Sequence, residues 1–365
     1  MALPLVRYGL IGCGMMGQEH LQNIALLADA DVGAIFEPDP QMRDAARVFA
    51  PEAVFCASIA EILARSELDC LLIASPNFCH ADQIAEIAAT RPLPLLVEKP
   101  LLTDPKDINR LREIAARYPA PIWVAMEYRY MPPIKALLDA ADTVTGGIQM
   151  LTIREHRFPF LEKVGDWNRF NAKTGGTFVE KCCHFFDLMR LALNQSPVRV
   201  MASAGQAVNH LDESYAGQIP DIIDHGYAIV DFDGGARAML ELCMFAEGAR
   251  YQEVISAVGP CGKVEAFVPG PTRFWPAELG PAPIPGIEIS PRNPIGPYLR
   301  ETPVDPHLLG AGDHNGSTFF QHQEFLDLVR GKRSAPAVTF EDGLWAVRMG
   351  LAAQRAAATG ETVTF

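Results

Sequence analysis

The sequence predicts an α/β protein with an N-terminal parallel sheet and a C-terminal α+β part that has a large open, mainly antiparallel sheet. Strand-like and helix-like segments alternate up to about residue 130, and consecutive β-rich segments follow in the second half. Strands separated by helices form right-handed βαβ units, whereas strands joined by tight turns form antiparallel sheets. We therefore expect a first domain over residues 1–126 and a second over 127–365.

The first domain is predicted from apolar runs and helix-start signals. Residues 70–74 form a near-continuous apolar run, typical of a strand buried on both faces, and Pro38-Asp39-Pro40 opens a helix. The predicted strands are 6–11, 31–36, 70–74, 95–97 and 122–125. The predicted helices are 18–28, 40–49, 59–64, 81–90 and 104–118.

The second domain is predicted as an open sheet with helices on one face. Turn signals at 233–235 and 259–262 separate its β-rich runs. Its predicted strands are 147–156, 198–204, 226–232, 236–245, 253–258 and 263–267, and its predicted helices are 134–141, 178–193, 319–330 and 340–358. Residues 269–306 hold eleven prolines, which indicates either an extended surface loop or an arm that packs on a subunit or covers a cleft.

Bulk composition narrows the class of protein. The chain of 365 residues is 49% hydrophobic, with a mean hydropathy of +0.07, as in soluble proteins with large cores. A net charge of −13 disfavours nucleic acid as a partner. No apolar run approaches the roughly 20 residues that span a bilayer, and the first strand leaves no room for a signal peptide. Eight scattered cysteines indicate a reducing compartment, so we expect a cytoplasmic protein without a membrane partner.

A glycine-rich loop follows the first strand and precedes a predicted helix, in the pattern Gly12-x-Gly14-x-x-Gly17. The first glycine permits a tight turn, the second lets a pyrophosphate approach the backbone, and the third lets the helix pack closely on the strand. The N–H groups at the start of the helix, around Met15 and Met16, attract phosphate. The glycine loop between a strand and a helix therefore predicts a Rossmann-type dinucleotide site.

Glu37 lies 20 residues after Gly17, at the end of the second strand. A carboxylate there accepts hydrogen bonds from a ribose 2′-hydroxyl and repels a 2′-phosphate. The first following basic residue is Arg43, beyond the Pro38-Asp39-Pro40 turn. We therefore expect NAD, with NADP as the less favoured alternative.

Polar residues also follow the third and fourth strands, at the edge where open α/β sheets bind ligands. Lys99 lies between a buried strand and a proline, so a fixed backbone holds it, although a solvated lysine is the alternative. His80 heads the next helix, where we expect it to face solvent or phosphate. The expected cofactor-binding residues are Gly12, Gly14, Met15, Met16, Gly17, Glu37, Ser75, Pro76, Asn77, His80, Glu98 and Lys99.

Glu180, His184 and Asp187 share one face if residues 178–193 form a continuous helix. A carboxylate beside an imidazole fixes its tautomer and supports its cationic form, as an acid/base histidine requires. An ordinary salt bridge on a helix face is the alternative. Cys182 and Cys183 precede the histidine, but three consecutive helical residues do not converge on one ion, so we expect no metal site.

Several of these segments together resemble one known family over nearly the whole chain. The segments are Gly12 to Gly17, Ser75-Pro76-Asn77-x-x-His80, Glu98-Lys99-Pro100, Tyr128-Arg129-Tyr130 in place of an Asn-Arg-Arg-like segment, and Gly175-Gly176 through His184 and Asp187. The chain resembles the Gfo/Idh/MocA oxidoreductases, which include glucose–fructose oxidoreductase and inositol dehydrogenase. The resemblance implies a Rossmann domain, NAD or NADP, and homodimers or homotetramers that form through the open sheet.

The resemblance also implies site roles and an activity. Lys99 matches the family's active-site lysine and His184 its acid/base histidine, while Glu180 stands where many members have aspartate. The implied reaction is oxidation of a secondary alcohol on a sugar, sugar derivative or cyclitol. Residues expected to shape the substrate pocket are Arg129, Arg154, His156, Trp167, Asn168, Lys173 and Asp187.

Two other functions remain open from the sequence. An NAD-dependent glycosidase uses the same lysine and histidine for transient oxidation and releases no net NADH. A non-catalytic dinucleotide-sensing regulator needs neither residue. Because Lys99 and His184 are both present, the dehydrogenase is the leading hypothesis.

Overall fold

The computed structural model describes residues 4–293 and 296–365, and it confirms the predicted fold class. Six strands form a parallel sheet: β1 (Val6–Ile11), β2 (Ala30–Phe36), β3 (Val54–Cys56), β4 (Cys70–Ile73), β5 (Leu95–Glu98) and β6 (Ile122–Ala125). Their helices are α1 (Met15–Ala25), α2 (Pro40–Phe49), α3 (Ile59–Leu63), α4 (His80–Thr90) and α5 (Asp107–Arg117). The strand order β3-β2-β1-β4-β5-β6 reverses beside β1, which places a ligand crevice at the carboxyl ends of β1 and β4.

A nine-stranded sheet forms the second half. Its strands are β7 (Met150–His156), β8 (Pro197–Gly205), β9 (His225–Phe232), β10 (Arg237–Cys243), β11 (Glu253–Gly259), β12 (Gly262–Val268), β13 (Gly286–Pro291), β14 (Tyr298–Glu301) and β15 (Val363–Thr364). The order is β14-β13-β12-β11-β7-β10-β9-β8-β15, and every neighbouring pair is antiparallel except β7 and β10. Alternate residues of β7 and β11 are buried, so one face of this sheet packs on the core.

Some helices of the second half pack on the large sheet, and others reach the first half of the chain. They are α6 (Pro132–Thr145), α7 (Asn171–Thr174), α8 (Thr177–Glu180), α9 (Cys183–Leu193), α10 (Pro306–Gly310), α11 (Ser317–Val329) and α12 (Phe340–Thr359). None of the helices within residues 4–293 and 296–365 is long and apolar enough to cross a membrane.

The C-terminal helices complete the core of the first sheet. Phe325 on α11 and Val347 on α12 are fully buried in the same cluster as Leu72 and Trp123 from the parallel strands. The ring of Trp123 lies edge-on to Phe325 at 6.1 Å between centroids. A boundary at residue 126 therefore separates the two sheets, but the hydrophobic core of the first sheet also contains side chains from the second half of the chain.

The proline-rich segment 269–306 is more ordered than the sequence predicts. It contains β13 and β14, which extend the large sheet, and Ile287 and Ile289 of β13 are buried in its core. The alternation of isoleucine with polar residues in 286–290 is a period-2 strand signal that the many prolines obscure. Pro294, which belongs to this predicted segment, lies outside the described residues.

The single long helix predicted over 178–193 is wrong. The N–H of Cys182 bonds to the carbonyl of Thr177, five residues back, at 3.3 Å, and α9 starts anew from that point. Such a wide turn adds an extra residue to the helical period. Residues before and after this turn therefore do not lie on one face, as they would on a continuous helix with 3.6 residues per turn.

Candidate active site

The glycine loop has the geometry that a phosphate-binding turn needs. Gly12 has φ +92°, and a Cβ there would lie 2.5 Å from the backbone nitrogen of Ser75. A Cβ on Gly17 would lie 2.4 Å from the carbonyl oxygen of Gly12, so α1 packs directly on the turn. A Cβ on Gly14 would meet nothing within 4 Å, which leaves its backbone open to a ligand at the start of α1.

Glu37 fixes the loop beside this turn. It is buried, and its carboxylate accepts hydrogen bonds from the N–H groups of Cys13 at 2.5 Å and Asp39 at 2.8 Å. Arg43 donates to the backbone carbonyl of Glu37 and not to its carboxylate. Each carboxylate oxygen keeps a second lone pair that can accept from a hydroxyl group.

The residues after β4 support the crevice in different ways. Asn77 donates to Glu180 Oε2 at 2.8 Å, and Ser75 donates to Gln83 at 2.6 Å. The expectation that His80 faces solvent or phosphate is wrong. Its ring is fully buried, with Nδ1 2.9 Å from the carbonyl oxygen of Pro100 and Nε2 3.0 Å from that of Ser75. His80 ties the segment after β4 to the segment after β5.

Lys99 reaches into the cleft between the two sheets. Its Nζ donates to the carbonyl oxygen of Glu180 at 3.3 Å. Burial opposes its positive charge, but electrostatic interactions with Cys183, Glu127, Glu98 and Glu180 outweigh burial, and the pKa of Lys99 lies above its ordinary value. The side chain is therefore an ammonium group across the physiological pH range.

His184 is buried in the same cleft. Its imidazole stacks on the ring of Tyr128 with centroids 4.1 Å apart and planes within 10°. Burial, followed by the charges of Lys99 and Lys181, lowers the pKa of His184 well below its ordinary value. The ring is therefore neutral and able to accept a proton.

Glu180 does not pair with His184, contrary to the spacing argument. Its carboxylate accepts from Asn77 and, at 3.0 Å, from Nζ of Lys163, because the wide turn at Cys182 rotates it away from the histidine. The carboxylate near the imidazole is Glu127, whose Oε1 lies 3.5 Å from His184 Nε2. Glu180 still lines the cleft, so its assigned catalytic role stays a prediction.

Some of the predicted pocket residues lie at or near the cleft, and the others lie outside it. Asn168 lines the cleft, and the ring of Trp167 lies under Nζ of Lys163 at 4.3 Å. Lys173 lies at the periphery, with its Nζ 4.3 Å from the ring centroid of Phe78.

Arg129, Asp187 and His156 lie outside the cleft, so their expected place in the pocket is wrong. Arg129 forms a bidentate ion pair with Asp187 and donates to the carbonyl of Ala337 at 2.8 Å. His156 bonds to Glu241 at 2.9 Å on the opposite face of the large sheet from its neighbour Glu155, since adjacent strand residues face opposite sides. Arg154 shares that strand and does not line the cleft.

Sequence reasoning did not find Tyr128, Lys181 or His314 as cleft residues, nor Glu127, which lies beside His184 and His314. Glu127 lies two residues after the end of β6, so the strand-end rule that selected Lys99 also applies to it. Lys181 lies in the wide turn, and its Nζ is 2.9 Å from Glu155 Oε1. No local signal marks His314, which enters the cleft from the segment before α11.

The wall of the cleft combines charged, amide, aromatic and aliphatic groups from both halves of the chain. Its lining residues are Met15, Met16, Glu19, Lys99, Tyr128, Arg157, Phe158, Phe160, Leu161, Lys163, Asn168, Glu180, Lys181, His184, Gln252, Pro271, Asp313 and His314. Among the described residues, no group of three His, Cys, Asp or Glu side chains could hold a metal ion. A wall rich in hydrogen-bonding groups suits a small polar ligand.

Fold and site together define a class. A parallel sheet in the Rossmann order, with a glycine loop at its switch point and a lysine and a neutral histidine in the adjoining cleft, is the arrangement of a dinucleotide-dependent oxidoreductase.

Comparison with known proteins defines the family. Residues 6–126 match the family model "Oxidoreductase family, NAD-binding Rossmann fold", and residues 142–265 match "Oxidoreductase family, C-terminal alpha/beta domain". The chain belongs to the Gfo/Idh/MocA oxidoreductase family, as the sequence resemblance predicted, and it is an enzyme of the dehydrogenase type.

Individual relatives are distant. Rhizopine catabolism protein MocA of Rhizobium meliloti is 25% identical over 237 residues, which are 65% of this chain and 70% of that protein. Inositol 2-dehydrogenase of Rhizobium meliloti strain 1021 is 28% identical over 206 residues, which are 56% of this chain and 60% of that protein. The structure of myo-inositol dehydrogenase from Lactobacillus casei in complex with NAD(H) and myo-inositol has a TM-score of 0.75 at 20% identity and covers 99% of this chain and 97% of its own. That likeness shows the fold.

Proposed function

We propose that the protein is an NAD-dependent dehydrogenase that oxidises a secondary alcohol of a sugar, sugar derivative or cyclitol. The observation that carries this proposal is the placement of a cationic lysine, Lys99, and a neutral histidine, His184, in one cleft beside the glycine loop. A relative named inositol 2-dehydrogenase and a similar structure solved in complex with NAD(H) and myo-inositol agree with such a substrate.

The residues present fit a bound dinucleotide. The open backbone at Gly14 and the start of α1 would hold the phosphates, and the buried carboxylate of Glu37 would accept the ribose hydroxyl groups. When bound, the nicotinamide supplies the acceptor for hydride. A second negative charge, on Asp39, lies beside Glu37, and both oppose a 2′-phosphate, so we propose NAD in preference to NADP.

The protein's own groups handle the hydroxyl group of the substrate. His184 is neutral and takes the hydroxyl proton as the carbonyl group forms. The ammonium group of Lys99 donates a hydrogen bond to the same oxygen and stabilises the negative charge that develops there. Glu180 keeps Lys163 and Asn77 in place at the wall of the cleft.

We also propose that the protein forms a homodimer or homotetramer through the outer face of the large sheet. Met150, Tyr227 and Ile229 are exposed on its strands, and exposed apolar side chains on a sheet suit a contact surface. Light scattering coupled to size exclusion measures the assembly, and a monomer at all concentrations contradicts this proposal.

The test of the activity is a panel of inositols, sugars and sugar acids with NAD⁺, followed by the absorbance of NADH. We expect turnover with one subset of these polyols and losses of about 10²–10⁴-fold in kcat for Lys99→Ala and His184→Ala. Lys135→Ala serves as a control because it removes an exposed cation that pairs with Asp139 on α6 and is not among the cleft-lining residues. Product formation without net NADH would instead indicate the glycosidase alternative, and tight NAD binding without turnover would indicate a regulator.

A further inference from the structure

Glu127 is a buried acid whose carboxylate is not satisfied by the fold. Its side chain is 1% exposed, and neither carboxylate oxygen has a hydrogen-bond partner among residues 4–293 and 296–365. Oε1 lies 3.5 Å from His184 Nε2 and 3.8 Å from His314 Nε2. A buried, unpartnered carboxylate costs stability, so a retained one indicates a function.

The surroundings of Glu127 keep its two protonation states close in free energy. Burial, followed by the charge of Glu98, raises its pKa, whereas the charges of His314 and Lys99 lower it, and the result is about 7. His314 itself is cationic, because pairing with Glu19 outweighs burial and raises its pKa to about 9. The titratable groups that face Glu127 are Glu98, Lys99, Tyr128, Cys183, His184 and His314.

His184 needs such a neighbour to do its work. As an imidazolium it would be buried beside Lys99, Lys181 and His314, whose charges all lower the pKa of His184, so the imidazolium readily gives up its proton. Glu180, the carboxylate that the helical spacing assigns to it, is directed elsewhere. We propose that Glu127 takes over, through His184, the proton that leaves the substrate hydroxyl group.

The proton balance is complete with these two residues. The O–H bond of the substrate breaks and its proton passes to the imidazole of His184. Nε2, the ring nitrogen that lies 3.5 Å from Glu127 Oε1, then gives a proton to that oxygen, and the imidazole returns to its neutral form. The C–H electron pair leaves as hydride, for which the proposed function supplies the acceptor, and the substrate carbon becomes a carbonyl carbon. Glu127 acts through His184 and is therefore a positioning residue that accepts the proton. This inference rests on the proposed function.

The first test needs no turnover. Glu253 provides a matched control, because it is equally buried and its pKa is also raised to about 7, by burial and then by Glu155, but its hydrogen-bonding partners are Tyr128 and Gln252. In Glu253→Gln, infrared spectra should retain a carboxylic-acid band that disappears as the pH rises through about 7. The band should be absent from the Glu127→Gln/Glu253→Gln double variant. A Glu253→Gln variant without such a band overturns the inference.

The second test uses the pH profile of kcat. Because the ionised form of Glu127 is the acceptor, oxidation by the unmodified enzyme should increase through about pH 7, and Glu127→Gln should lose this rise. At higher pH its kcat should be about 10- to 100-fold lower. His314→Gln should move the rise to higher pH, because the cation that lowers the pKa of Glu127 is removed.

The outcomes separate the inference from the proposed function. If Glu127→Gln is folded by circular dichroism and keeps the pH profile of the unmodified enzyme, the inference is wrong and the dehydrogenase assignment stands. A His314→Gln profile that does not move also overturns it, whether or not Glu127→Gln folds. If the unmodified enzyme oxidises no member of the panel, the proposed function fails and the inference fails with it.

Discussion

Replacing Gly14 with alanine separates the effect of the glycine loop on the fold from its effect on a ligand. Gly14 has φ −61° and ψ −164°, a conformation open to any residue, and the added Cβ meets nothing within 4 Å. Alanine therefore fits without strain and restricts the unfolded chain. The free energy of unfolding should stay unchanged or rise by about 0.4–1 kcal/mol.

The same methyl group should weaken dinucleotide binding. It occupies the space through which a pyrophosphate would reach the N–H groups at the start of α1. Loss of one hydrogen bond to a charged group costs about 1.5–3 kcal/mol, which corresponds to a dissociation constant about 10- to 100-fold higher. In Gly17→Ala, by contrast, the Cβ would lie 2.4 Å from the carbonyl oxygen of Gly12, so stability and binding should both decrease.

Urea denaturation gives the stability of both variants, and titration of NADH fluorescence gives the dissociation constants. An unchanged dissociation constant in Gly14→Ala would refute the argument that the backbone of this loop closely approaches a phosphate. A clear loss of stability in the same variant would show that the space around Gly14 is not open.

Three further predictions concern charged residues. Glu37→Arg should move cofactor preference from NAD towards NADP, measured as the ratio of kcat/KM values, and an unchanged ratio would contradict its assigned role. Burial and then Glu155 raise the pKa of Glu253 to about 7, above its value in the unfolded chain, so ionisation of Glu253 destabilises the fold as the pH rises to about 7. The free energy of unfolding of Glu253→Gln should therefore exceed that of the unmodified protein by an amount that grows as the pH rises from weakly acidic to weakly alkaline, up to about 3 kcal/mol in urea titrations. A difference that does not depend on pH would contradict this prediction. Asp187→Asn breaks a buried ion pair with Arg129 and should cost about 3–5 kcal/mol of unfolding free energy while KM stays unchanged, whereas a raised KM would return Asp187 to the pocket.

The sequence predicts the parallel half of the fold well because its signals are local. Apolar runs, helix starts and the glycine loop are all readable within ten or twenty residues, and the strand-end rule then locates Lys99. Applied to β6, the same rule would also have located Glu127.

Other parts of the site depend on information that is not local. The wide turn at Cys182 redirects Glu180, although the spacing of Glu180 and His184 fits a regular helix. His314 reaches the cleft from a segment more than a hundred residues after His184, and only the packing of α11 beside α1 places it there. The prolines of 269–306 likewise obscure a strand whose partner, β12, supplies the hydrogen bonds that hold it in the sheet.

The packing of α11 and α12 on the first sheet affects the order in which the chain can fold. Phe325, Leu326 and Val347 fill the core around Trp123, yet they follow it by about two hundred residues. During synthesis, the parallel sheet therefore emerges with an apolar surface that stays uncovered until nearly the whole chain has left the ribosome. A fragment that ends at residue 126 should expose this surface and aggregate, and folding of the complete chain should be slow, since contacts so distant in sequence form late.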